Sequence, residues 1–146
     1  MFEKIHKTAR NIHRGIDRVK EDAIEYSTTD MEDLNIEQML FGNNADGEDI
    51  GEYRSESYAA MKQSMNSRPP AMVPDLRLTG AFHSGMKVDY TGNDLTFTST
   101  DSKTSELTAK YGQNIFGLTP RNQQNIQNDV IFPIITDWIG KQMKAL

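Results

Sequence analysis

Seven apolar residues at the start of the chain set the first constraint. Phe2, Ile5, Ala9, Ile12, Ile16, Val19 and Ala23 recur in alternating steps of three and four. That is the spacing of a narrow coiled-coil seam, not the broad stripe of a globular core helix. A helix from Phe2 to Ala23 runs about 33 Å at 1.5 Å per residue. A chain of 146 residues can scarcely cover such a rod with its own core. The spacing predicts a helix that projects and packs on another molecule, with docking inside the chain as the alternative. Phe2, Ile5, Ile12, Ile16 and Val19 are the candidate interface residues.

Beside the seam, Lys7, Arg10, Arg14 and Arg18 follow at offsets of three, four and four. This basic stripe is expected to be a solvated face, to pair with Glu21, Asp22 and Glu25, or to meet an acidic neighbour or passing DNA. The four cations join the apolar set as candidate interface residues. His6 and His13 lie two turns apart, about 10 Å along a helix, too far to share one metal ion.

Charge is segregated. Residues 1–20 hold six Lys/Arg against Glu3 and Asp17, and residues 21–60 hold twelve acids against Arg54 alone. The remainder holds nine bases and seven acids, for a net charge of −5. A basic helix followed by an acidic stretch can fold back on itself or pair with the opposite patch of a neighbour. The folded body lacks the basic excess of a sequence-specific nucleic-acid binder.

Composition narrows the chemistry. With no cysteine, the chain forms no disulfide, thiolate metal site or cysteine nucleophile. The length suits one domain, and a mean hydropathy of −0.65 exposes much of it to solvent or a polar partner. No apolar run reaches the eighteen or more residues of a membrane span. Basic residues at the start have no apolar core after them, so no signal peptide is read. The expectation is a soluble protein made in the cytoplasm, with no membrane partner.

Further along, Ser27–Asp30 supply caps for a second helix bearing Leu34, Ile36, Met39, Leu40 and Phe41, closed by Gly42. Asn43–Glu52 imitates a calcium loop, but Ala45 and Gly47 fall where oxygen ligands belong, so a turn is expected. A short helix within Arg54–Met65 ends before Pro69-Pro70. Met86, Val88 and Tyr90 alternate with polar residues, turn at Thr91–Asp94 and return through Leu95 and Phe97, the pattern of a hairpin with one buried face. Asp101 or Ser102 caps a short helix that runs to Tyr111 and stops at Gly112. Thr119-Pro120 starts the last helix, with Ile126, Val130, Ile134 and Trp138 at steps of four and a Pro133 kink near Asn128 and Asp129. The fold expected is α+β: a long N-terminal helix, a small antiparallel sheet with a β-hairpin, and a C-terminal helix packed on the sheet. It divides into a helical arm at 1–42, an acidic, Pro-containing linker with a short helix at 43–74, and an α+β core at 75–146.

Two strings carry a resemblance. Tyr58-Ala59-Ala60-Met61-Lys62 matches a short Tyr-Ala-x-x-Lys piece, and Leu76–Phe82 loosely matches a Leu-x-x-Thr-Gly-x-Leu/Phe element that leads into the hairpin. With the N-terminal helix before them and the helix after Thr119-Pro120 behind, the order resembles the virion-morphogenesis and tail-completion proteins of tailed bacteriophages, the head–tail joining group. The likeness covers about residues 40–140. The basic first helix is longer than the family pattern, and Tyr111–Leu118 replaces its aromatic or proline-arginine element.

The resemblance implies a structural protein of the virion. It would be a neck adaptor or tail-completion subunit, forming a hexameric or dodecameric homo-oligomeric ring between head and tail. Its partners would be portal, neck or tail proteins, with DNA only a passing, non-specific neighbour. The alternative is a small non-enzymatic binding module or inhibitor-like assembly factor absent from the virion. GxSxG, P-loop, HExxH and CxxC motifs are all missing, and His83-Ser84 as strand neighbours would point to opposite faces. No enzyme activity, catalytic residue, metal or cofactor is expected.

Overall fold

A computed structural model describes residues 1–145. It is an α+β fold with helices α1 (Phe2–Tyr26), α2 (Thr28–Leu40), α3 (Glu56–Met65) and α4 (Ala81–Ser84), strands β1 (Met86–Thr91) and β2 (Asp94–Ser99), then helices α5 (Thr104–Tyr111), α6 (Pro120–Ile126) and α7 (Phe132–Lys144). A 3₁₀ turn lies at Gln113–Ile115, and a π turn at Gln127–Ile131 joins α6 to α7.

Local chemistry accounts for several boundaries. Ser55 accepts a hydrogen bond from the Tyr58 N–H at 3.2 Å and caps α3. Thr119 does the same for Asn122 at 3.2 Å, with Pro120 in the first turn. Pro133 has no N–H to give Asp129, and the helix widens into its π turn at that level. The hairpin pairs Met86 with Ser99 through Thr91 with Asp94. Gly92 supplies the positive φ of 64° that its two-residue turn needs at the first central position.

The core has two apolar clusters. Met39, Ile50, Leu76, Phe82, Met86 and Ile115 form one; Met31, Val88, Leu118 and Ile126 form the other. Phe97 packs against both. A two-stranded sheet is marginal alone, and here it is covered on both accounts. Val130 and Ile131 of the C-terminal helical segment pack against the Val88 cluster, and α2 runs along β1. Glu32 of α2 also accepts the outward-facing Val88 N–H at 2.9 Å, satisfying a donor that β2 does not reach.

Helix α1 projects only over its first turns. Phe2 is 77% exposed and Ile5 is exposed, whereas Ile12, Ile16 and Val19 are half-buried and Ala23 is buried. From its middle onward α1 lies along α7. The expected projecting rod is shortened because α7 carries its own apolar face, including Trp138, and the two helices cover each other. Gly15 permits the approach: a Cβ there would stand 2.8 Å from the Trp138 ring. Gly15→Ala is expected to loosen this contact, since overpacking of about 1–3 kcal/mol exceeds the ~1 kcal/mol Ala adds to a helix interior. The check is amide exchange: faster exchange over Ile12–Val19 is expected, and unchanged exchange would contradict the packing.

Candidate functional site

Three separate segments build one cleft of about 370 Å³. Helix α3 with the residues before it forms one wall, the 74–82 segment the floor, and α5 the other wall. The interior is aromatic and apolar, presenting Tyr53, Tyr58, Leu76, Phe82 and Tyr111. The Tyr53 and Tyr58 rings meet edge to face, 5.2 Å between centroids at 83°. Arg54, Arg77, Lys103 and Lys110 stand around it with Asp101 and Glu106. All four cations are exposed, and among the described residues none makes a salt bridge. A net positive cleft in a net negative chain suits an anionic ligand with an apolar or aromatic body.

Beneath the cleft lies a buried ion pair. Lys62 is 5% exposed and Asp75 3%; the ammonium sits 2.9 Å from the carboxylate and also donates to the Arg77 carbonyl. The Asp75 carboxylate further accepts the Arg77 N–H at 3.0 Å and the Asn66 side-chain amide at 3.1 Å. That amide reaches the Leu40 carbonyl as well, at 2.8 Å. Burial alone would raise the Asp75 pKa, but the Arg77 N–H, Lys62 and Asn66 reverse it, and the carboxyl is held below its ordinary value. Burial, and next the Asp75 charge, push the Tyr53 phenol well above its ordinary range. Leu76 follows with a positive φ of 58°, a conformation costing a non-glycine residue about 1–3 kcal/mol. The backbone bends there because Asp75 is pinned inward on one side and Leu76 is buried on the other.

His83 closes the node. Its Nε2 lies 2.9 Å from the Asp75 carbonyl, which only accepts, so the neutral ring carries its proton on Nε2. Burial lowers its pKa below the ordinary value. Folded, His83 takes up a proton less readily than unfolded, so stability is expected to fall as pH drops below about 6.5. Asp75 adds a second loss as pH falls below about 4, through its depressed pKa. Urea midpoints against pH test this: His83→Gln should flatten the upper part of the curve and leave the lower part.

A second polar device fixes the segment after α5. Asn35, fully buried, donates to the Ile115 carbonyl at 3.1 Å and accepts the Gly117 N–H at 3.0 Å. Gln38 donates to the Gly117 carbonyl at 2.9 Å and accepts the Thr119 N–H at 2.9 Å. Two side-chain amides of α2 thus hold Ile115–Thr119 as an adjacent strand would. Only the pattern of buried polar positions could have revealed them: Asn35 and Gln38 stand four and seven residues after Met31, on one helical stripe.

The sequence-derived interface residues divide. Phe2, Ile5, Lys7, Arg10, Arg14 and Arg18 are exposed, and none of the four cations reaches a carboxylate among the described residues. Ile12, Ile16 and Val19 lie on the half-buried part of α1. The cleft and its ion pair carry none of the nine. Asn43–Glu52 forms a turn in which the Asn44 side chain accepts the N–H groups of Asp46 and Glu48. Among the described residues no group of three His, Asp or Glu side chains is placed to hold a metal ion. Comparison with family models, curated proteins and solved structures finds no match to this chain.

Proposed function

We propose that this chain is a structural subunit of a tailed-phage virion, a neck adaptor or tail-completion protein that works in a homo-oligomeric ring. One observation carries the reading beyond string similarity. The two elements behind the family resemblance meet in space: Lys62, which ends the Tyr-Ala-x-x-Lys piece, bonds Asp75 and the Arg77 carbonyl at the head of the Leu-x-x-Thr-Gly element. Strings fourteen residues apart that interlock in one buried node behave as a single structural unit. Their order therefore has a physical cause.

The surface supports the same reading. A subunit in a ring meets its neighbour through two different patches. This chain offers an exposed basic, apolar-tipped α1 start, an acidic α1–α2 corner and a basic cleft. Its binding partners would be further copies and the portal, neck or tail proteins, with location in the virion. Mass spectrometry of purified particles from the source genome tests this. The peptide is expected at a fixed ratio to the portal protein; its absence from particles would overturn the reading in favour of an assembly factor left outside the virion.

A further inference from the structure

Tyr26 is 73% exposed at the end of α1, an unusual position for an aromatic ring without a partner. It is set among exposed acids: Asp22 one turn before it, Glu25 beside it and Asp30 one turn after. No Lys or Arg occurs between Lys20 and Arg54, so this corner carries no compensating cation of its own segment. Tyr26 and its acids form a knob, aromatic at the centre and anionic at the rim. The cleft is nearly the inverse, aromatic inside and net cationic at the rim, where Arg54, Arg77, Lys103 and Lys110 outnumber Asp101 and Glu106.

The two features cannot meet within one chain. Helix α2 starts just after the knob, and its Met31 belongs to the cluster of Val88 and Ile126. Its far end brings Met39 into the other cluster, with Leu76 and Phe82, which also line the cleft. Knob and cleft therefore lie toward opposite ends of α2, about 20 Å apart for thirteen residues.

We infer that the cleft between α3 and α5 receives the acidic Tyr26 knob of a second copy of this chain. The contact is head to tail: each copy offers a knob to one neighbour and a cleft to the other, the arrangement that generates rings or open arrays and not closed pairs. Buried aromatic anchors ringed by complementary charge are the usual energetic centre of such contacts. The inference rests on the ring reading above and names the partner surfaces for it.

Two full-length variants test it. Tyr26→Ala with Asp22→Lys and Glu25→Lys removes the knob; Arg77→Glu with Lys110→Glu reverses the cleft. All five positions are exposed except for the backbone of Arg77, so folding is preserved and circular dichroism checks it. In sedimentation experiments up to millimolar concentration, the wild-type chain is expected to grow beyond dimers, less so as salt rises. Each variant alone should lose association by about tenfold or more. Mixed in equal amounts they keep one intact knob and one intact cleft, so a two-chain complex that grows no further is expected.

A monomeric wild type, a monomeric mixture, or wild-type association by either variant would overturn the inference. Loss in the cleft variant alone would place another surface in the cleft and overturn the assignment of Tyr26. The particle measurement separates the two claims. The protein in particles with both variants associating normally sinks this contact and leaves the virion reading. The pairing found with no protein in particles does the reverse.

Discussion

Lys62→Met is expected to be the most damaging conservative change in the chain, costing about 3–5 kcal/mol in urea unfolding. The substitution keeps most of the side chain's volume and removes only its charge. It leaves Asp75, 3% exposed, as a buried carboxylate without its counter-ion, and an unpaired buried charge accounts for a loss of that order. Asp75→Asn should cost less, because the Lys62 ammonium it leaves without a counter-ion still donates to the Arg77 carbonyl, and the carboxamide can still accept the Arg77 N–H or the Asn66 amide. The order matters more than the sizes. If Lys62→Met unfolds no earlier than Asp75→Asn, the ammonium is not what holds the Arg77 carbonyl and the Asp75 carboxylate together. The same variant has a local signature, since Asp75 loses one of the partners that lower its pKa, while the Arg77 N–H and the Asn66 amide remain. Its stability should therefore fall less steeply below about pH 4 than the wild type's.

Asn35→Leu is the second large effect expected, about 2–5 kcal/mol. Leucine fills the space but leaves the Ile115 carbonyl and the Gly117 N–H without partners. Each buried backbone group left unsatisfied costs about 1–3 kcal/mol. Gln38→Leu should be milder, because Gln38 is less fully buried than Asn35 and its segment also packs through Leu118. Amide exchange at Gly117 gives the direct reading. Protection at that single N–H is expected to vanish in Asn35→Leu while the hairpin amides stay protected, and retained protection would show that the clamp is not the donor's partner.

What the residues disclosed in advance was local. The hairpin, the stop at Gly112, the Thr119-Pro120 start and the Pro133 disturbance each depend on a few adjacent residues, and each lies where those residues require. The long-range pairings were illegible for a physical reason. An apolar seam states that it wants cover but not whose, so α7 as the partner of α1 could not be read from Ile12, Ile16 or Val19. Asn35 and Gln38 do not announce their burial, because polarity normally marks exposure; burial reverses that meaning only when distant backbone supplies partners. Phe41 went the other way, apolar yet 43% exposed beneath the Arg68 guanidinium, 5.6 Å from its ring centre. The cleft needs three segments spread between Tyr53 and Tyr111, and no local pattern announces it. Lys62 was visible as the end of a motif, yet its role required Asp75 and Arg77 in place.

The clamp from α2 also sets a timetable. Asn35 waits for Gly117, 82 residues later, and Gln38 for Thr119, 81 later; the α1–α7 contact joins the two ends of the chain. Contacts at such separations come late in folding, because the intervening loop must close before they return any stability. During synthesis α1 and α2 emerge well before α7 and the 115–119 segment that they pack against or hold. The course of α1 therefore becomes fixed only once α7 has been made. A chain cut short before Phe116 would keep the two side-chain amides of the clamp and lose most of the backbone they hold.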